Sequence, residues 1–202
     1  MKIGLIFECG PKGADKKVCE ILIKKLNPEI QTKSITLDNK PNLVQKCGAS
    51  AKQLLDTEKC DRVIIVWDLY PAWRIGGEKP CRKEDCDAVL RSIDHAGVDR
   101  TKVHLICITE ELEAWLLADG RAISTTLSRP TKKIKISDTK KPEQVKNSKK
   151  ALSQIYEKNI GRKYSDLTDA EKIAKNIPDF TKISRSASFC RFAIKSTDIN
   201  IK

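Results

Sequence analysis

Three glutamates crowd the segment ITEELEAWLLADG, residues 108–120: Glu110, Glu111 and Glu113 follow a β-branched run and lead into Trp115. In a helix starting at Glu110, at about 100° per residue, Leu112, Trp115 and Leu116 share one buried face. Glu111 and Glu113 then stand on its shoulders, and Glu110 lies on the opposite side. Surface helices rarely set acids against their own apolar stripe. Two further acids occupy comparable places, Glu8 directly after KIGLIF and Asp68 directly after RVIIVW. Carboxylates gathered from three chain segments without obvious cationic partners repel one another. Mg²⁺ or Mn²⁺, hard cations that prefer oxygen, is the usual neutraliser of such a set. The chemistry this offers is polarisation of a phosphate and positioning of water for attack.

The elements that must position these acids are legible in the first 120 residues. KIGLIFE, IQTKSITL, RVIIVWD and KVHLICIT are short Ile- and Val-rich runs that predict strands. Between them, residues 14–26, 43–55 and 84–96 carry apolar residues at three-to-four spacing, as in Val18, Ile21 and Leu22, which predicts helices. The alternation implies an α/β fold with a mostly parallel sheet flanked by helices. The continuous apolar run from Val63 to Trp67 implies a central strand covered on both faces. Glu8, Asp68 and the 110–113 glutamates all fall at C-terminal strand ends, where open parallel sheets carry their ligand crevice. Past Gly120 the strand signals fade, and residues 144–157, 169–176 and 186–194 read as helices joined by lysine-rich loops. The division expected is a core over residues 1–120 and a basic, mainly helical extension over 121–202, packed on it.

Charge follows the same division. The chain of 202 residues has a net charge of +12, yet residues 1–120 balance 19 basic against 19 acidic side chains. Residues 121–202 hold 20 basic against 8 acidic. A basic half beside an acid-bearing half suits a polyanion, because Lys and Arg contacts to phosphate release counterions whatever the base sequence. The residues expected to hold nucleic acid are Lys132, Lys133, Lys140, Lys141, Arg185 and Arg191. No run approaches the roughly 18 apolar residues of a membrane span, and the start lacks signal-peptide architecture, so no membrane partner and a cytoplasmic location are expected. The eight cysteines are scattered, several of them within predicted elements, and read as reduced thiols. Cys81 and Cys86 lack the second well-spaced pair that structural zinc normally shows. The loop ECGPKGADKK matches neither the dinucleotide fingerprint nor the Walker pattern. The connection spanning residues 68–86 is long enough to be functional, and its Tyr70 and Trp73 could stack on a nucleobase.

A glutamate ending the first strand, an aspartate ending a central strand and a further acidic element resemble the Toprim fold of topoisomerases, primases and nucleases of the overcoming-lysogenization-defect type. VWDLYPAW, EKPCRKEDC, ITEELEAWLLADG and SRSASFCRFAIK more specifically resemble a Toprim-like family associated with ATPases in bacterial phage-defence loci. The resemblance implies a metal-dependent nuclease. It carries Glu8 over as general acid/base and Asp68 as a Mg²⁺ ligand. Tyr70 stands where the second aspartate of the Toprim pair belongs, so Glu111 or Glu113 is expected to supply the missing metal ligand. Failing that, the chain is a non-catalytic scaffold or effector subunit that binds nucleic acid or an ATPase.

Overall fold

The structure is a computed structural model and describes residues 1–70 and 80–201. Trp73 lies outside the described residues.

Four strands, β1 (Lys2–Phe7), β2 (Gln31–Thr36), β3 (Arg62–Asp68) and β4 (Val103–Ile108), form one sheet in the order β2-β1-β3-β4. Every pairing is parallel. Helix α1 (Ala14–Leu26) connects β1 to β2, α2 (Lys40–Lys52) connects β2 to β3, and α3 (Arg82–His95) connects β3 to β4. The apolar residues Val18, Cys19, Leu22 and Ile23 of α1 are buried, as their spacing requires. At the start of α2, the Asn39 side chain accepts the Asn42 N–H at 2.9 Å and Pro41 sits in the first turn, two independent N-terminal signals.

The chain leaves β1 toward one edge of the sheet and leaves β3 toward the other. The switch point therefore lies between β1 and β3, with Glu8 and Asp68 at its rim. Two apolar clusters cover the faces. Leu43, Cys47, Leu54, Val89 and Ile93 of the α2–α3 side meet Ile6, Val63, Ile65 and Trp67. On the other face Ile3, Leu5, Ile64 and Val66 meet α1 and the C-terminal helices. The run from Val63 to Trp67 is thus buried on both sides, as its continuous apolarity implies.

Beyond β4 come α4 (Glu113–Leu117), α5 (Gly120–Leu127), α6 (Ser148–Ile160), α7 (Glu171–Asn176) and α8 (Ala187–Thr197). Sequence periodicity misses α5, whose start is fixed by Asp119 accepting the backbone N–H groups of Arg121 and Ala122. Trp115 anchors the extension: its ring packs edge-on against Phe189, with centroids 5.4 Å apart, and lies 5.3 Å from Phe192. Its indole N–H donates to Ser188 Oγ at 2.8 Å. Phe189 and Phe192, three residues apart on α8, are both buried, and their cluster is continuous with the sheet core. No disulfide forms among the described residues, which include all eight cysteines. No described helix is long and apolar enough to cross a membrane.

Helices α2 and α3 cross closely at Gly48, whose N–H lies 3.1 Å from Ser92 Oγ. A Cβ at position 48 would collide with the Ser92 carbonyl. Gly48→Ala should cost about 2 kcal/mol through overpacking, lowering the melting temperature by about 5 °C. Thermal unfolding of the variant checks this; an unchanged midpoint would mean the two helices can slide apart freely.

Candidate active site at the sheet switch point

Parallel pairing of β1 and β3 sets Phe7 opposite Val66, so the residues just past that pair meet. One Glu8 carboxylate oxygen accepts the Asp68 backbone N–H at 3.1 Å. The other, Glu8 Oε2, is buried, as is Asp68 Oδ1, and neither has a hydrogen-bond partner among the described residues. Buried polar atoms are normally satisfied, so two such oxygens at one rim call for a cation or a proton.

Two more acids reach this rim. Asp15, in the first turn of α1, accepts a hydrogen bond from the Cys9 thiol and repels both Glu8 and Asp68. Glu113, the first residue of α4, is 4% exposed and accepts the Tyr164 hydroxyl at 3.2 Å. Burial pushes the Glu113 carboxyl up to about 7, with Asp15 adding to the rise. Burial likewise lifts Glu8 to about 7 and Asp15 to about 6. Burial, then the charges of Asp15, Glu8 and Glu113, hold Asp68 well above the carboxylate range. Like charges taken out of water make the ionised state costly unless a cation enters. Clefts with several such groups are where catalytic carboxyls are found.

The three glutamates of the 110–113 run part company. The helix begins at Glu113 rather than Glu110, because β3 and β4 keep pairing past their ends: Leu69 N–H donates to the Ile108 carbonyl at 2.9 Å and Tyr70 N–H to the Glu110 carbonyl at 3.3 Å. Glu110, expected on an outer face, is 3% exposed and ion-paired with Lys146 at 2.7 Å. Glu111 accepts the Lys149 backbone N–H at 2.9 Å and so caps the start of α6. Of the three, Glu113 is the one that acts on Asp68.

Nor do the acids lack cations. Lys40, only 8% exposed at the first position of α2, draws both Glu8 and Asp68 toward the charged form. Lys149 is partly buried; Asp166, Glu113 and Glu111 outweigh that burial and raise its pKa. Lys40 and Asp15 escape sequence reasoning because neither follows a strand directly. The signals that would have found them are a cation at a helix N-terminus, where the macrodipole disfavours it, and an acid opening the helix next to Glu8.

The other basic residues are dispersed. Lys132, Lys133, Lys140 and Lys141 are exposed. Lys132 donates to the Asn159 carbonyl at 2.8 Å, near the end of α6 and about 15 Å along the helix from Lys149. Arg185 stands 3.7 Å from Asp138. Arg191, on α8, faces the β4 edge near His104 and Cys86.

Among the described residues no three His, Cys, Asp or Glu side chains form a ready metal-binding group. Glu8 and Asp68, each with one open buried oxygen, fit a cation held by two carboxylates and water. Mg²⁺ is usually bound that way, its shell completed by substrate phosphate.

Open parallel α/β sheets carry their ligand crevice at the switch point, and in this sheet the buried carboxylates stand there. The chain belongs to the family described as Domain of unknown function (DUF4276), whose model matches residues 12–193. No curated protein and no solved structure matches it.

The acid cluster predicts a pH dependence. A carboxyl raised in the folded state favours folding below its unfolded pKa, and that contribution is lost as pH rises through the folded value. The ion-free protein should therefore lose stability between about pH 4.5 and pH 7, Glu113 accounting for up to about 3 kcal/mol. Glu113→Gln keeps the size and can still accept from Tyr164. Its melting temperature should match wild type near pH 4.5 and exceed it at pH 8. Parallel pH–stability curves for the two proteins would remove Glu113 from the buried cluster.

Proposed function

We propose that this chain is a metal-dependent phosphodiester hydrolase, a nuclease acting on DNA or RNA. The observation that carries the reading is the pair of buried oxygens, Glu8 Oε2 and Asp68 Oδ1, at the sheet switch point, which have no hydrogen-bond partner among the described residues. The Toprim-like sequence pattern supports it, as does the basic C-terminal half, which gives a polyanion somewhere to rest. Glu8 and Asp68 would hold Mg²⁺ or Mn²⁺. When bound, the ion would polarise the phosphate and lower the pKa of the attacking water.

The chain's own residues supply the rest. Glu113, lifted to about 7 by burial, exchanges a proton near neutral pH, as a general base or acid must. Tyr164 fixes its orientation through the 3.2 Å hydrogen bond. Asp15 adds negative charge that strengthens cation binding, and Lys40 draws Glu8 and Asp68 toward the charged form against the burial that raises both. Tyr70 leaves the second aspartate position empty, so Glu113 takes up the acidic role there, while Glu111 is engaged in capping α6. A location inside the cell and an ATPase partner from a defence locus belong to the same proposal.

Calorimetry with Mn²⁺ tests the metal. Wild type should bind, and Asp68→Ala should bind at least about tenfold more weakly, because a two-carboxylate site loses half its protein ligands. Cleavage is then assayed with Mn²⁺ on DNA and on RNA, with and without a neighbouring-gene ATPase. Glu113→Gln should lower the rate about 100-fold or more while leaving Mn²⁺ binding largely intact. Unchanged Mn²⁺ affinity in Asp68→Ala, or a wild type inactive under every condition, would favour the scaffold or effector alternative.

A further inference from the structure

Beside the acid cluster lies a groove of about 510 Å³ along α6, lined by Lys149, Lys150 and Lys163 with Asn147 and Gln154, and by two acids, Glu111 and Glu157. Two links join it to the acids. Glu111, in the groove, is followed two residues later by Glu113. Lys149, whose backbone N–H is held by Glu111, carries its ammonium to Asp166 and faces Glu113. The groove's other lysines, Lys150 and Lys163, are exposed.

Tyr70, two residues past Asp68, meets Lys146, which directly precedes Asn147 of the groove lining. The Tyr70 N–H is tied to the Glu110 carbonyl at 3.3 Å, and 36% of the residue is exposed. Lys146 places its ammonium 5.2 Å from the ring centroid and 2.7 Å from Glu110, while its side chain stays 70% exposed. An exposed aromatic ring braced by Lys146, the residue before Asn147 of the groove, beside a groove carrying three lysines, combines a stacking platform with a backbone track. Stacking on such a ring needs a base with a free face, which a paired duplex does not offer.

We infer that this groove and Tyr70 bind single-stranded polynucleotide, stacking one unpaired base on Tyr70 and leading the adjacent phosphates past Lys150 and Lys163. The inference rests on the hydrolase reading, since it names the form in which that site receives its substrate. It also relocates the contacts nearest the acids from the 129–141 segment to the start of α6. Lys149, engaged with Asp166 and Glu111, positions the groove rather than gripping phosphate.

Binding is measured in EDTA, so that no cleavage intervenes, by fluorescence anisotropy of a labelled 12-nucleotide oligo(dT) and of the corresponding oligo(U) across several salt concentrations. The comparison ligand is a hairpin duplex of the same length. Wild type should prefer the single strands. Tyr70→Ala should weaken them about tenfold, whereas Tyr70→Phe should bind as wild type. Lys150→Ala/Lys163→Ala should reduce the slope of log affinity against log salt by about 1.4, two phosphate contacts' worth. Lys52→Ala/Lys59→Ala, the same charge loss on exposed lysines at the far end of the sheet, should change it less. Equal binding of duplex and single strand with no effect of Tyr70→Ala would overturn the stacking role. Equal slopes for the two lysine pairs would overturn the track. Absence of any oligonucleotide binding would overturn the inference while leaving Mn²⁺ binding and the hydrolase reading to stand or fall on calorimetry and cleavage.

Discussion

The hydrogen bond from the Asp68 backbone to the Glu8 carboxylate sets the character of this molecule. It joins the ends of two neighbouring parallel strands at the point where their connections diverge, so no crossover covers it from above. The bond satisfies only one of Glu8's oxygens, and the Asp68 carboxyl points into the same confined space. Two carboxylates in a shared, poorly hydrated cleft cannot both ionise cheaply. Asp15 and Glu113 compound the difficulty rather than relieve it, for both raise the Asp68 pKa. A fold selected for stability alone would place apolar or neutral groups there.

The stability that tolerates such a cluster comes from the two apolar faces of the sheet. Trp67, Phe7 and the β3 run are sealed between α2–α3 on one side and α1 with the C-terminal helices on the other. Surface ion pairs contribute little by comparison. Lys83–Asp87 and Arg100–Asp94 are exposed pairs, screened by water and salt. Trp115 matters more, because its ring and indole N–H fasten α8 beside the segment that carries Glu113. The residue that looks like core filling in the sequence thus also holds one wall of the acid cluster.

What could be read in advance follows from the range of the interactions involved. The four strands, α1 over its full length and the strand-end positions of Glu8 and Asp68 are local patterns, set by periodicity and by the residue that follows a β-branched run. Lys40 could not be read this way. Its neighbours Glu8 and Asp68 are 32 and 28 positions away, and only the β1–β2 pairing brings α2 against them. Asp15 escapes for another reason: it sits in the first turn of α1, several residues past β1, and not directly after a strand. Glu110 was assigned to the wrong face for a related reason: helical periodicity was applied to residues that the adjacent strand still holds extended through the Tyr70 N–H. Tertiary pairing overrode local spacing at the place where strand becomes helix.

The glutamate run with which the sequence poses its question therefore has three answers rather than one. Glu110 turns away from the cluster and fixes Lys146. Glu111 meets the amide at the start of α6 and fixes that helix. Only Glu113 turns inward, to the Tyr164 hydroxyl and the field of Asp15 and Asp68. Because backbone direction changes sharply between β4 and α4, successive carboxylates diverge instead of stacking on a common face. The first two bind the basic half of the chain to the neutral half, and in doing so bring lysines to the edge of an acid cleft they could not otherwise approach. The charge segregation visible along the sequence is thus converted into close contact between opposite charges, and it is the short turn from Thr109 to Leu112 that makes the conversion.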